Sequence, residues 1–209
     1  MKLEREALRL YAVTDRRWLK PGETLAAAVK ELLKAGITCV QLREKEGPEE
    51  RVLEQARELE RLCAAYGVPL IINDWPKLAK EAGAAGVHVG QGDMEIREAR
   101  KLLGEGFIIG ASAHNVEEAR EAEAAGADYI GCGAVFGSRT KTNTVRLSGK
   151  ELRSICQAVK IPAVAIGGIT LENVEQLAGT GIAGVAVVSA LFSPEDKGKA
   201  VREFLKRDL

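Results

Sequence analysis

Aromatic residues make up only 4% of this 209-residue chain, and cysteine occurs four times. Cys39, Cys63, Cys132 and Cys156 lie far apart with no C-x-x-C spacing. That spacing argues against zinc ligands and disulfides and leaves reduced packing residues, two in or beside strands and two in helices. No apolar run reaches the length of a membrane span. The opening M-K-L-E-R-E lacks the apolar stretch of a signal peptide, so a cytoplasmic protein without a membrane partner is expected. Excess charge is missing too, with 30 basic against 30 acidic residues and no block of one sign. A nucleic-acid groove or a polybasic anchor is therefore not expected. No G-x-G-x-x-G follows the first apolar run, which counts against an open dinucleotide-binding sheet. Glycine, by contrast, is abundant at 22 residues. The length suits one domain with a substantial core, residues 1–209, better than two.

Short apolar runs alternate with amphipathic stretches along the whole chain. The runs predict strands over Leu8–Val13, Ile37–Leu42, Pro69–Ile72, Gly86–Val89, Gly106–Gly110, Asp128–Gly131, Ile161–Ile166 and Gly184–Val188. Between and after them, helical spacing predicts helices over Thr24–Lys34, Pro48–Tyr66, Pro76–Ala85 and Glu95–Leu103. Four more are expected from Asn115 to Gly126, from Ser148 to Val159, over Leu171–Ala178 and over Pro194–Arg207. Several are expected to stop at an Ala-Gly pair (35–36, 85–86, 125–126, 183–184). Strict alternation implies a parallel sheet, and eight units imply an α/β fold, a single-domain (β/α)8 TIM barrel.

In such a barrel, functional groups follow the strands on one face. Here Arg43 and Lys45 follow the second strand, Asn73 and Asp74 the third, and Gln91 and Asp93 the fourth. Ser112 and His114 follow the fifth, and Ser138, Thr140 and Lys141 the sixth. Gly167-Gly168 follow the seventh and Ser189 the eighth. The strand–helix–strand unit from Leu70 to Asp93 brings Asp74 and Asp93 side by side. Two such carboxylates repel unless a proton or cation joins them. Two oxygen-donor side chains, completed by water and a substrate phosphate, suit Mg2+. Each aspartate can alternatively cap the helix that follows it. Glycines after the seventh strand and a hydroxyl after the eighth fit a phosphate site. No nucleophile–base pair is evident, so the expected chemistry is charge stabilisation of a leaving pyrophosphate by a protein that positions its reactants.

On Y-A-V-T-D (11–15), V-Q-L-R-E-K (40–45), I-I-N-D (71–74), G-V-H-V-G-Q-G-D (86–93) and I-I-G-A-S-A-H (108–114), the chain resembles the thiamine phosphate synthase family. A-D-Y-I-G-C-G-A-V-F (127–136), T-K (140–141), A-I-G-G-I (165–169) and V-V-S-A (187–190) extend the resemblance over nearly the whole length. It implies condensation of hydroxymethylpyrimidine diphosphate with a thiazole phosphate or its carboxylate, giving thiamine phosphate and pyrophosphate by a dissociative, Mg2+-assisted route. It also implies that Gln41, Leu42, Arg43, Glu44, Lys45, Asn73, Ser112 and Lys141 hold the diphosphate substrate. Of these, Arg43, Lys45, Asn73, Ser112 and Lys141 form the catalytic set. Asp74 and Asp93 would bind the metal, and Ser138, Arg139, Thr140, Gly168, Val188 and Ser189 the thiazole phosphate. Gly137-Ser138 stands where the family usually has Pro-Thr, and Trp75 where it often has a polar residue. A thiazole tautomerase leaning on His114 is the alternative enzyme, and a non-catalytic precursor-binding barrel the alternative of another class. A homo-oligomer is compatible with the sequence.

Overall fold

The computed structural model describes residues 3–44, 47–137 and 146–208. The apolar runs form β1 (Leu10–Val13), β2 (Cys39–Leu42), β3 (Leu70–Asn73), β4 (Gly86–Val89), β5 (Ile108–Ala113), β6 (Tyr129–Gly133), β7 (Ala163–Ile166) and β8 (Gly184–Val187). Each pairs in parallel with its neighbours in chain order, and β8 closes on β1. The helices are α1 (Leu25–Ala35), α2 (Glu49–Ala64), α3 (Pro76–Ala82), α4 (Ile96–Leu103), α5 (Val116–Ala125), α6 (Gly149–Ala158), α7 (Ser189–Phe192) and α8 (Lys197–Leu205). Among the described residues no helix is long and apolar enough to cross a membrane.

Strands covered on both faces favour apolar residues at most positions, which is why their runs are nearly continuous rather than alternating. Outward residues such as Leu10, Ala12, Val40 and Leu42 pack with the helices in one core. Inward residues, Tyr11, Val13, Cys39, Ile71, Ile108, Tyr129, Val164 and Ala186, form a second core inside the barrel. All four cysteines are free: Cys39 and Cys132 lie in strands, Cys63 and Cys156 in helices. Burial pushes the Cys63 thiol up to about 12, so it packs as a neutral group.

Helix starts follow their caps. Thr24 accepts from Ala27 N–H, Asn115 from Glu118 N–H, and Ser148 forms a reciprocal capping box with Glu151. Each such cap contributes about 1 kcal/mol. The fully buried Lys197 donates to Glu23 Oε1 at 2.7 Å, tying α8 to the approach to α1 beside the β1–β8 seam.

Four expectations are corrected. Helix α3 stops at Ala82 with Gly83 as its left-handed cap, so the Ala85-Gly86 pair ends no helix, while β4 begins at Gly86 as expected. A Cβ there would sit 2.1 Å from Ile108 O, and one at Gly184 2.1 Å from Leu8 O. Both glycines therefore serve close strand approach. Strand β5 begins at Ile108 and runs through Ala113, which places Ser112 within the strand. Between β7 and β8 the expected helix is only a 3-10 turn, Val174–Leu177. There Asn173 accepts from Thr170 N–H and donates to Gly168 O, side-chain bonds that compete with a regular helix start. The last expected helix is shortened to α8, which starts at Lys197 with Asp196 as its cap, and the short α7 directly after β8 was not expected.

Candidate active site

Strand register decides which side chains meet inside the barrel. Asn73 pairs with His88, His88 with Gly110, and Gly110 with Tyr129, so four adjacent strands contribute one row. Gly110 has no side chain, and a Cβ at that position would lie 2.2 Å from Tyr129 Cζ. Across that gap the rings of His88 and Tyr129 meet at a centroid separation of 5.5 Å. One residue pair higher, Ser112 faces Gly131, whose missing side chain leaves room for the His88 ring.

Above these rows the C-terminal ends of the strands open onto a cavity of about 740 Å³. Gln41, Arg43, Asn73, Asp74, Asp93, Ser112, Gly168, Val188 and Ser189, all candidates from sequence, line it together. Two others do not. Leu42 is buried in the outer core, and Glu44 pairs with Arg16, which leaves both side chains out of the cavity. Lys45, Ser138, Arg139, Thr140 and Lys141 lie outside the described residues.

Neither aspartate stands at the N-cap position of the helix that follows it. The residue before α3 is Trp75 and the residue before α4 is Glu95, and neither makes a side-chain cap bond. Asp74 adopts a left-handed backbone with φ 64, the one non-glycine residue to do so among those described. Its N–H still extends the sheet by donating to His88 O at 2.8 Å. That conformation turns the chain at the top of β3, and Asp74 lines the cavity there. Asp93 Oδ2 accepts from Gly90 N–H at 2.7 Å, folding the turn after β4 back over the strand end. Among the described residues no group of three or more His, Cys, Asp or Glu gathers as a metal cage. Two cavity-lining carboxylates with hard oxygen donors fit Mg2+ with substrate oxygens and water, and do not fit zinc.

Arg43 brings a positive charge to the cavity wall. Burial acts to raise the Asp15 carboxyl, but hydrogen bonds and charge from Arg17, with the charge of Arg43, outweigh it and hold it below the usual range. Thr14 anchors the Arg43 backbone, accepting its N–H at 3.0 Å. Gly167 and Gly168 have φ 104 and 67. A Cβ at Gly168 would lie 2.7 Å from Gly137 O, so the backbone here packs too closely for any other residue. His114 lines the cavity, but its Nδ1 lies 2.8 Å from Glu118 Oε2 at the start of α5.

The sequence reading found no nucleophile–base pair, yet His88 Nε2 lies 3.1 Å from Ser112 Oγ. His88 Nδ1 lies 3.1 Å from Tyr129 Oη, which lies 2.9 Å from Tyr11 Oη. Gln41 Nε2 donates to Tyr11 Oη at 2.7 Å. Tyr11 and Tyr129 escaped notice because nothing local distinguishes an inward strand tyrosine from an outward one. The usable signal was Gly110, a strand glycine that makes room for a large neighbour.

A family model described as thiamine monophosphate synthase matches residues 10–191. The chain belongs to this family. A thiamine-phosphate synthase 2 of Streptococcus pneumoniae is 45% identical over 205 residues, covering 98% of this chain and 97% of its own. A thiamine-phosphate synthase of Clostridium acetobutylicum is 43% identical over 203 residues, 96% of each chain. The solved thiamine phosphate pyrophosphorylase of Pyrococcus furiosus superposes with a TM-score of 0.88 at 38% identity, covering 97% of this chain and 96% of that one. Family membership thus holds in sequence and in fold over almost the entire barrel.

Proposed function

We propose that this barrel works in the cytoplasm on two small phosphorylated substrates, joining hydroxymethylpyrimidine diphosphate to a thiazole phosphate or its carboxylate and releasing pyrophosphate, with carbon dioxide as well when the thiazole is the carboxylate. The chain is a transferase of the thiamine-phosphate synthase type, as its near-full-length relatives indicate. The observation that carries the finer reading is the shared cavity in which Arg43, Asn73, Asp74, Asp93 and Ser112 converge from four consecutive strand ends. Cation, amide, hydroxyl and paired carboxylates in one place are groups for holding and neutralising a diphosphate.

Asp74 and Asp93 would hold Mg2+, which when bound supplies positive charge for the diphosphate oxygens. The protein's own residues then do the following. Arg43 and Asn73 orient the diphosphate, so that the bond between the pyrimidine methylene and the diphosphate oxygen can break with the electron pair leaving on oxygen. The thiazole nitrogen donates its pair to the methylene carbon, and the cavity walls hold the two rings in contact while limiting water. Gly167-Gly168 and Val188-Ser189, from adjacent strand ends, suit the thiazole phosphate through backbone N–H groups.

The test is pyrophosphate release with both substrates supplied. Release that stops in excess chelator and returns on adding Mg2+ supports the reading. Full turnover in chelator would sink the metal assignment, and rearrangement of the thiazole carboxylate without coupling would replace the synthase with a tautomerase.

A further inference from the structure

We propose that Tyr129 and His88 are positioning residues, links in a one-way hydrogen-bond chain from Gln41 through Tyr11, Tyr129 and His88 to Ser112, which turns the Ser112 hydroxyl into a fixed donor toward the cavity. The inference deepens the synthase reading and rests on it for the identity of the acceptor, the diphosphate substrate.

Gln41 fixes one end of the chain, and the sense of the remaining bonds is part of the proposal. The Gln41 amide nitrogen can only donate, and it donates to Tyr11 Oη at 2.7 Å. In the proposed sense Tyr11, whose hydroxyl also neighbours the Cys39 thiol, gives its single proton to Tyr129 Oη at 2.9 Å. Tyr129 then gives its own proton to His88 Nδ1 at 3.1 Å. Burial, with neighbouring groups, pushes both phenols well above their ordinary range, so each keeps the proton it must pass on. With Nδ1 accepting, His88 is the neutral tautomer with hydrogen on Nε2. That hydrogen points to Ser112 Oγ, 3.1 Å away. Ser112 therefore accepts from His88 and has its own hydrogen left to donate.

The arrangement resembles a hydrolase pair of serine and histidine, but the polarity is reversed. In a nucleophilic pair a carboxylate accepts from Nδ1–H and leaves Nε2 free to take the serine proton. Here a phenol donates to Nδ1, so Nε2 cannot act as a base toward Ser112. An enzyme that generates a reactive cation gains from a serine that donates to the leaving anion and is not itself a nucleophile. The strand register enforces the geometry: His88, Gly110 and Tyr129 share one row, and glycine in the middle lets the two outer side chains bond directly.

The chain contains two histidines, so nitrogen-15 NMR of ring-labelled protein resolves His88 once His114→Gln removes the other signal. The expected result is the neutral Nε2–H tautomer at neutral pH; the Nδ1–H tautomer or an imidazolium would overturn the proposal. Tyr129→Phe should release this preference and lower kcat/KM for the pyrimidine diphosphate about tenfold, as for a lost hydrogen bond to a charged acceptor. KM for the thiazole phosphate should stay unchanged. In the Ser112→Ala background, Tyr129→Phe should add no further loss, because both changes remove the same donor. Losses that add would show Tyr129 to be merely structural and overturn the proposal. The tautomer readout needs neither turnover nor a Tyr129 variant. A wild type that releases no pyrophosphate therefore fails the synthase reading, whereas a wrong tautomer fails this one.

Discussion

Replacing Asp74 by glycine and by alanine should separate what this residue does for the fold from what it does for the reaction. Its φ of 64 lies in the left-handed region, where a residue with a Cβ is disfavoured by about 1–2 kcal/mol and glycine is not. Glycine loses back about 0.5–1 kcal/mol through the larger conformational freedom of its unfolded chain. Both substitutions delete the carboxylate, so whatever that group touches cancels in the comparison. The N–H bond to His88 O persists in each, since it belongs to the backbone. Asp74→Gly should therefore be more stable than Asp74→Ala by about 1 kcal/mol, a difference of roughly 2–4 °C in Tm for a domain of this size. Pyrophosphate release should fall about 100-fold or more in both. Urea and thermal unfolding give the first quantity, a coupled phosphate assay the second. An alanine variant as stable as the glycine variant would refute the strain argument, and full activity in either would refute the metal role.

Two further outcomes follow from the packing and the charges. Gly110→Ala should destabilise by about 3 kcal/mol and abolish turnover, because its Cβ would lie 2.2 Å from the buried Tyr129 ring with no space to yield; a wild-type unfolding midpoint would contradict this. Acid should destabilise the fold through Asp15 and Glu23. In each, burial acts to raise the carboxyl but is outweighed, by Arg17 at Asp15 and by Lys197 at Glu23, so both titrate below their ordinary values. A depressed folded-state value stabilises above the ordinary carboxylate range and is lost as pH falls through the folded value. Unfolding midpoints should thus drop below the ordinary range, and Lys197→Met should shrink the Glu23 part of that drop while lowering stability at neutral pH. A variant with an unchanged pH profile would show that the Lys197–Glu23 pair contributes nothing.

Much of the fold was legible locally. Eight short, mostly apolar runs such as L-Y-A-V and L-I-I-N suit a parallel sheet covered on both faces. The helix starts at Asn115 and Ser148 could be read because their cap bonds reach only three residues along the chain. The misread boundaries were those decided at a distance. Gly86 and Gly184 look like helix ends in the sequence, but each exists for a neighbouring strand's backbone. The helix missing between β7 and β8 was lost to the Asn173 turn bonds at Gly168 O and Thr170 N.

The site divides the same way. Alternation alone determined that Arg43, Asn73, Asp74, Asp93 and Ser112 would stand at one face of a barrel, because in a parallel barrel every strand ends on the same side. The sequence motifs then determined the family, and with it a chemistry of leaving pyrophosphate. Only the tertiary structure decided that Asp74 and Asp93 stand outside the N-cap positions, that Leu42 and Glu44 turn away, and that His88 meets Ser112 and Tyr129. Those facts depend on register and on side chains brought together from strands far apart in sequence. The two cavity-lining aspartates could be read from a strand–helix–strand unit; the hydrogen-bond chain beneath them needed side chains from five strands of the closed barrel.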